Sequence, residues 1–307
     1  MRHRLSLSGE IPPSPIMEMF EGVGLIRSEY VLRSQGRFIT RPEARQRLGD
    51  YVRAVAEACP TGPIWYRTTE FTSQEANTLD GVDRRYHEAD FMKGRRGVRR
   101  ALELPEAFET ELRVVAEVAR EHRNVHLLLP FVRDAADFSF AADVLERIDW
   151  PNRFGSMIEI PSALLEAGKL VSMGATNLML GLNDLSSLLT GTSRQDRDMK
   201  LHPSVWWAVE TLREAVGAEI DWGLAGNLSK AVLERAEDSG VPYVSMHYGE
   251  LPELRGVPAE ELPDIDFVKR TKEFTRSQIA LAEDRDLAER QAARTVAENT
   301  RPTIPGQ

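Results

Sequence analysis

Short runs of β-branched and large apolar residues recur along the chain, separated by longer stretches whose apolar positions return every three or four residues. The runs near Leu5–Ser8, Val23–Arg27, Ile64–Thr69, Val125–Phe131, Ser156–Ile160, Leu178–Asn183, Ile220–Ala225 and Tyr243–Met246 predict buried strands. Between them, Arg41–Ala58, Pro105–Arg123, Ala135–Arg147, Pro161–Met173, Pro203–Val216 and Lys230–Ser239 predict amphipathic helices. This alternation implies a parallel sheet with helices outside it, because each parallel strand pair needs a crossover. Eight strands in roughly 250 residues fit a closed (β/α)8 TIM barrel. A doubly wound sheet is the rival, but no Gly-x-Gly-x-x-Gly follows the first strand. The expected architecture is an α/β barrel over residues 1–258 with a C-terminal helical extension and tail over 259–307.

Two segments break the alternation. Phe71–Val98 is polar, rich in Arg, Glu and Asp, and long for a strand-to-helix loop, the face where such loops carry function. From Phe267 to about Asn299 the chain reads as one charged helix or two, with a proline-containing tail at Arg301–Gln307. That helix is either an exposed appendage or, through Phe267, Phe274, Ile279, Leu281 and Leu287, an oligomer contact.

Charge and cysteine content narrow the classes. Lys plus Arg is 39 and Asp plus Glu 48, a net charge of 39 − 48 = −9. That disfavours nucleic-acid binding, which depends on neutralising phosphates. The single cysteine, Cys59, forms neither an internal disulfide nor a cysteine-rich zinc site, and reads as packing after an outer helix. There is no signal-peptide pattern and no apolar run long enough to span a bilayer, so a cytoplasmic protein without membrane contact is expected.

In a barrel, the residues ending the strands face the active site. Here those ends carry Arg27 and Glu29, then Arg67, Thr68 and Glu70, with Arg96 closing the long loop. Glu159 ends the fifth strand, and Asn183 with Asp184 the sixth; Arg194 follows ten residues after Asp184. Guanidiniums are bidentate partners for phosphate and carboxylate. Two carboxylates among neutral oxygens suit a hard cation that keeps its waters, Mg2+. Together they describe a site for a small, highly anionic substrate. His202, before Pro203, reads as structural.

These residues resemble the phosphoenolpyruvate-binding barrel of the PEP-utilising enzymes: phosphoenolpyruvate synthase, pyruvate phosphate dikinase and enzyme I of the sugar phosphotransferase system. The resemblance runs from about Ser8 to Arg255. It is carried, in order, by Gly22-Val23-Gly24-Leu25-Ile26-Arg27-Ser28-Glu29, Tyr66-Arg67-Thr68-Thr69-Glu70-Phe71 and Gly94-Arg95-Arg96-Gly97-Val98-Arg99. Leu129-Pro130-Phe131-Val132, Met157-Ile158-Glu159-Ile160-Pro161-Ser162 and Gly181-Leu182-Asn183-Asp184-Leu185 complete it. It implies that Arg27, Arg67, Arg96 and Arg194 hold the phosphate and carboxylate of phosphoenolpyruvate. Glu159 and Asp184 would bind Mg2+, and Asn183 would contact the phosphoryl group. It also implies a homodimer, and phosphoryl exchange with a histidine on a swivelling domain.

The sequence departs from that family in three ways. Nothing in it resembles the ATP-grasp or phosphohistidine domains, so a phosphoryl relay either uses partner proteins in trans or does not occur. After the seventh strand the family places an acid cysteine where this chain reads Gly223-Leu224-Ala225-Gly226-Asn227, and Ala225 has no proton to give. The eighth strand ends in His247-Tyr248, and His247 is a candidate proton donor. Leu182 and Lys93 also suggest a retuned pocket. Three functions are therefore open: a Mg2+-dependent phosphotransferase-type enzyme, a Mg2+-dependent lyase or aldolase working through a 2-oxo-acid enolate, and a non-catalytic ligand-binding subunit.

Overall fold

The computed structural model describes residues 1–299 except 84, 89, 91–93, 195, 197, 218–219 and 264–266, with side chains of the last helix described through Asp284. Lys93, Leu287 as a side chain and the tail at 301–307 lie outside the described residues. Eight parallel strands close on themselves in sequence order: β1 (Arg2–Leu7), β2 (Val23–Arg27), β3 (Ile64–Arg67), β4 (Val125–Leu129), β5 (Phe154–Ile158), β6 (Asn177–Gly181), β7 (Asp221–Ala225) and β8 (Tyr243–Met246). The barrel is the predicted one.

Its packing follows from the two-residue period of a strand. On one face Leu5, Ile64, Leu127, Leu178, Leu224 and Val244 meet the surrounding helices in one continuous core. On the other, Leu25, Trp65, Leu128, Met157, Met179, Ala225 and Tyr243 fill the lumen. Each fully buried large apolar side chain contributes about 1.5–3 kcal/mol. Small residues set the register where strands crowd: an added Cβ at Gly155 would lie 2.0 Å from the Asn177 carbonyl oxygen, and one at Gly24 2.6 Å from Ser245 Oγ.

The lumen is plugged at its N-terminal pole by Arg4, which pairs with Asp221 at 2.7 Å and stacks 3.8 Å over the Tyr243 ring. β1 begins at Arg2 rather than at Leu5, and its polar start is anchored on β7, where Arg2 and Arg4 each meet an oxygen of Asp221 at 2.7 Å. Cys59 follows the helix Pro42–Ala58 near this pole, half-buried against the core, with Sγ 3.9 Å from the Gly62 carbonyl.

Most helices match expectation within two residues, with two differences. The stretch Pro161–Met173 is broken into Pro161–Leu165 and Ala167–Ser172 at Glu166, whose carboxylate accepts the Ala135 N–H at 2.7 Å. β6 stops at Gly181, and Asn183 and Asp184 stand in the first turn of the helix Leu182–Thr190 instead of on the strand. The C-terminal segment is one helix, Phe267–Asn299. No helix among the described residues is long and apolar enough to cross a membrane.

Candidate active site

Strand register does the first positioning. Arg27 and Arg67 are direct partners across β2 and β3, so two guanidiniums leave the same level of the barrel side by side. Ser28 Oγ donates to the Arg67 carbonyl at 2.7 Å and joins the two strand ends. Arg96 arrives from the loop at Gly97, which has φ +50° and a Cβ position 2.2 Å from the Pro130 carbonyl oxygen, a conformation and clearance only glycine allows. The Arg96 guanidinium lies 3.9 Å over the Phe131 ring, and the Phe131 N–H donates to Glu159 Oε2 at 3.0 Å.

At the C-terminal mouth these groups surround a cavity of about 760 Å3 that includes Arg27, Arg67, Arg96, Glu159, Asn183, Asp184, Arg194, Ala225 and His247. The four arginines, Glu159, Asn183, Asp184 and His247 therefore reach one cavity, whereas Thr68 and Leu182 lie outside its lining. A larger open depression at the opposite pole, about 1620 Å3, contains none of them.

The floor of the mouth is a buried charge lattice. Arg67 Nη2 meets Glu29 Oε1 at 2.6 Å, and its Nη1 meets Glu70 Oε2 at 2.7 Å and Glu159 Oε1 at 3.9 Å. Arg96 Nε donates to Glu70 Oε1 at 2.7 Å and Nη1 to Asp184 Oδ1 at 3.2 Å. Arg194 Nη2 holds Asp184 Oδ2 at 2.7 Å from the rim. Four buried carboxylates, Glu29, Glu70, Glu159 and Asp184, thus face two buried guanidiniums, Arg67 and Arg96. With all four carboxylates ionised the balance is 2 − 4 = −2 before Arg194 is counted, and part of that excess is relieved by a proton. Burial, and after it the Glu70 carboxylate, push Glu159 up to about 8, so a proton is retained at neutral pH. For Glu70, Arg96 and then Arg67 outweigh burial and hold the carboxyl below its ordinary value.

That surplus fits a divalent cation. Among the described residues no three His, Cys, Asp or Glu side chains form a ready-made metal cluster. Mg2+ needs none: one or two carboxylates with substrate oxygens and waters are its usual set. Glu159 and Asp184 would be those carboxylates.

His247 is otherwise engaged. Nδ1 accepts the Gly249 N–H at 2.9 Å, which places the proton on Nε2, 2.9 Å from Glu10 Oε1. Asn183 Oδ1 accepts the Asn227 N–H at 3.2 Å, tying the β6 and β7 loops together. Leu182 is buried, with its Cβ beside Gly226. His202 Nδ1 accepts the Ser204 N–H at 3.2 Å as a helix cap.

Sequence reasoning did not assign Glu29 and Glu70 their part in holding Arg67 and Arg96. It also missed Arg33, and Val268, Lys272, Thr275, Arg276 and Ile279 of the C-terminal helix, all of which line the cavity. The available signal was their spacing, which puts the five helix residues on one face.

Residues 15–260 match the family described as PEP-utilising enzyme, PEP-binding domain. The chain is 30% identical over 202 residues to a probable phosphoenolpyruvate synthase of Pyrococcus horikoshii, covering 60% of this chain and 25% of that one. It is 32% identical over 186 residues to a phosphoenolpyruvate-protein phosphotransferase of Streptomyces coelicolor, covering 60% and 32%. A probable phosphoenolpyruvate synthase of Archaeoglobus fulgidus is 25% identical over 262 residues, covering 78% and 34%. The chain thus spans a quarter to a third of the length of these relatives. Among solved structures, pyruvate kinase from Pyrobaculum aerophilum shares the fold, with a TM-score of 0.51 at 9% identity over 91% of this chain and 72% of that one.

Proposed function

The chain belongs to the PEP-utilising enzymes through their PEP-binding domain, and from that premise we propose that it binds phosphoenolpyruvate, or a closely related small phosphorylated carboxylic acid, with Mg2+ and takes part in phosphoryl transfer. The observation that carries this reading is the polarity of the mouth: a floor lacking positive charge beside a rim of arginines. Arg67 and Arg96, locked by Glu29 and Glu70, would present N–H groups in fixed directions without reorganising at each turnover. Arg27 and Arg194 stand further out, for the phosphoryl oxygens. Mg2+ at Glu159 and Asp184 would neutralise charge on the carboxylate and on the transferring group. The phosphoryl group would be exchanged with a phosphohistidine on a separate domain, with an ATP-grasp partner recharging it.

Protonation of a pyruvate enolate is the step this chain is least equipped for. Ala225 sits at the lumen end of β7 with no ionisable atom. His247 would have to leave Glu10 before its Nε2 proton could reach substrate. We infer that the chemistry favours transfer from the partner's phosphohistidine to an oxygen of an acceptor other than pyruvate, a step that frees the histidine and needs no carbon acid, whereas phosphoenolpyruvate as donor would release an enolate for water to protonate.

The test is calorimetric titration of phosphoenolpyruvate into the purified protein with and without Mg2+, with pyruvate and oxalate for comparison. Mg2+-dependent binding of phosphoenolpyruvate is expected. Binding of oxalate without phosphoenolpyruvate would transfer the reading to an enolate lyase, and binding of neither would overturn it.

A further inference from the structure

The C-terminal helix, Phe267–Asn299, is mostly polar, yet it lies on the mouth of the barrel. Thr271 and Thr275 are buried, and Arg33 Nε donates to Thr275 Oγ1 at 3.0 Å. Phe267 lies against Gly9, where an added Cβ would come 3.1 Å from the ring. Val268, Lys272, Thr275, Arg276 and Ile279 share one helical face and line the same cavity as Glu159 and Asp184.

Both charged residues of that face are cationic, and they meet Arg27, Arg33 and Arg194 from the barrel. Arg33 is paired with Glu75 at 2.8 Å and Arg194 with Asp184 at 2.7 Å. Among the described residues Arg27, Lys272 and Arg276 form no ion pair. Arg27 Nε is buried without a hydrogen-bond partner. Partial burial, then Arg27, Arg33, Arg194 and Arg276, hold the Lys272 ammonium below its ordinary value. The strongest charges acting on it are all positive. Arg33 and Arg194 are each answered by one carboxylate, whereas Arg27, Lys272 and Arg276 repel one another until an anion enters. A lone carboxylate beside a cation at the floor would leave this rim unused. A tetrahedral oxyanion of higher charge would use it.

We propose that the helix is part of the binding site: Lys272 and Arg276 complete, with Arg27, Arg33 and Arg194, a rim that takes a phosphate or phosphoryl group. Selection of phosphorylated over unphosphorylated ligands is thereby placed partly in residues beyond the matched segment 15–260. The inference deepens the proposed function and rests on its mouth site, but does not require that phosphoenolpyruvate be the ligand.

The experiment uses the full chain with Lys272→Gln, Arg276→Gln and the double substitution, all at exposed positions. Inorganic phosphate and, separately, oxalate with Mg2+ are titrated calorimetrically, with thermal melts as a fold control. Each single substitution should weaken phosphate roughly 5- to 10-fold and the pair more, as for loss of a charge-assisted contact. Oxalate affinity should stay within about twofold, and Lys272→Arg should restore phosphate binding. Unchanged phosphate affinity in the double variant, an equal loss for oxalate, or no phosphate binding by the parent chain would each overturn the proposal. If phosphate binds through Lys272 and Arg276 while phosphoenolpyruvate does not bind, the proposed function fails and this inference stands.

Discussion

Glu111 offers a test of the fold's electrostatics that needs no knowledge of the substrate. It lies on the helix Pro105–Glu121, buried beneath the end of β3. Its Oε1 accepts the Tyr66 hydroxyl and the Thr69 N–H, each at 2.7 Å, and its Oε2 accepts Thr69 Oγ1 at 2.7 Å. Burial outweighs these hydrogen bonds and pushes the carboxyl up to about 7 from an ordinary 4.5. A carboxyl raised in the folded state binds its proton more tightly there than in the unfolded chain. Its contribution is therefore full below the unfolded value and is lost as pH rises from there through about 7. A shift of 7 − 4.5 = 2.5 units corresponds to about 3 kcal/mol in total, of which ~2.5 falls between about pH 5 and pH 8. Glu111→Gln keeps the shape, accepts the same two bonds at Oε1 and offers an N–H2 to the Thr69 hydroxyl. Urea unfolding of both proteins at about pH 5 and pH 8 should show the parent losing ~2–3 kcal/mol more than the variant. Parallel losses would show that Glu111 does not resist ionisation in the fold, and would refute the reasoning.

Two further outcomes follow from the site and the barrel wall. Asp184→Asn keeps the side-chain volume but removes the charge that holds Arg96 and Arg194 and would bind Mg2+; Mg2+-dependent phosphoenolpyruvate affinity should drop at least ~10-fold with an unchanged circular dichroism spectrum, and an unaltered isotherm would sink the metal assignment. Gly155→Ala would drive a methyl to 2.0 Å from the Asn177 carbonyl oxygen; a loss of at least ~1–3 kcal/mol in denaturant unfolding is expected, and a neutral effect would mean that β5 and β6 part more easily than their packing implies.

The alternation of short apolar runs with helical periods made the barrel legible, because closure demands that pattern from every βα unit in turn. The strand ends were legible too, since β2, β3 and β5 stop within a few residues of Arg27, Arg67 and Glu159. The breaks had local causes that hydrophobic period does not record. Asn183 left its strand because the helix Leu182–Thr190 starts directly at Gly181, where a Cβ would meet Glu159 Cγ at 2.5 Å. The part played by Glu29 and Glu70 depends on which guanidinium each meets across the lumen, a matter of register between distant segments. The C-terminal helix is legible as a helix but not as a wall of the site: its contact face sets only Val268 and Ile279 among threonine, lysine and arginine, which in sequence read as solvent-facing.

Cys59 gives the molecule a practical property. As the only cysteine in the chain, held half-buried near the pole opposite the mouth, with burial raising its thiol above the ordinary value, it is expected to react more slowly with alkylating reagents than a fully exposed thiol. A second cysteine on the outer surface of the C-terminal helix, for example Ser277→Cys at an exposed position, would be modified first, and Cys59 only after prolonged exposure or partial denaturation. Two different dyes can then be attached in sequence without deleting any native residue. Energy transfer between them would convert the seating of the helix on the barrel into a distance followed in solution as phosphate is added.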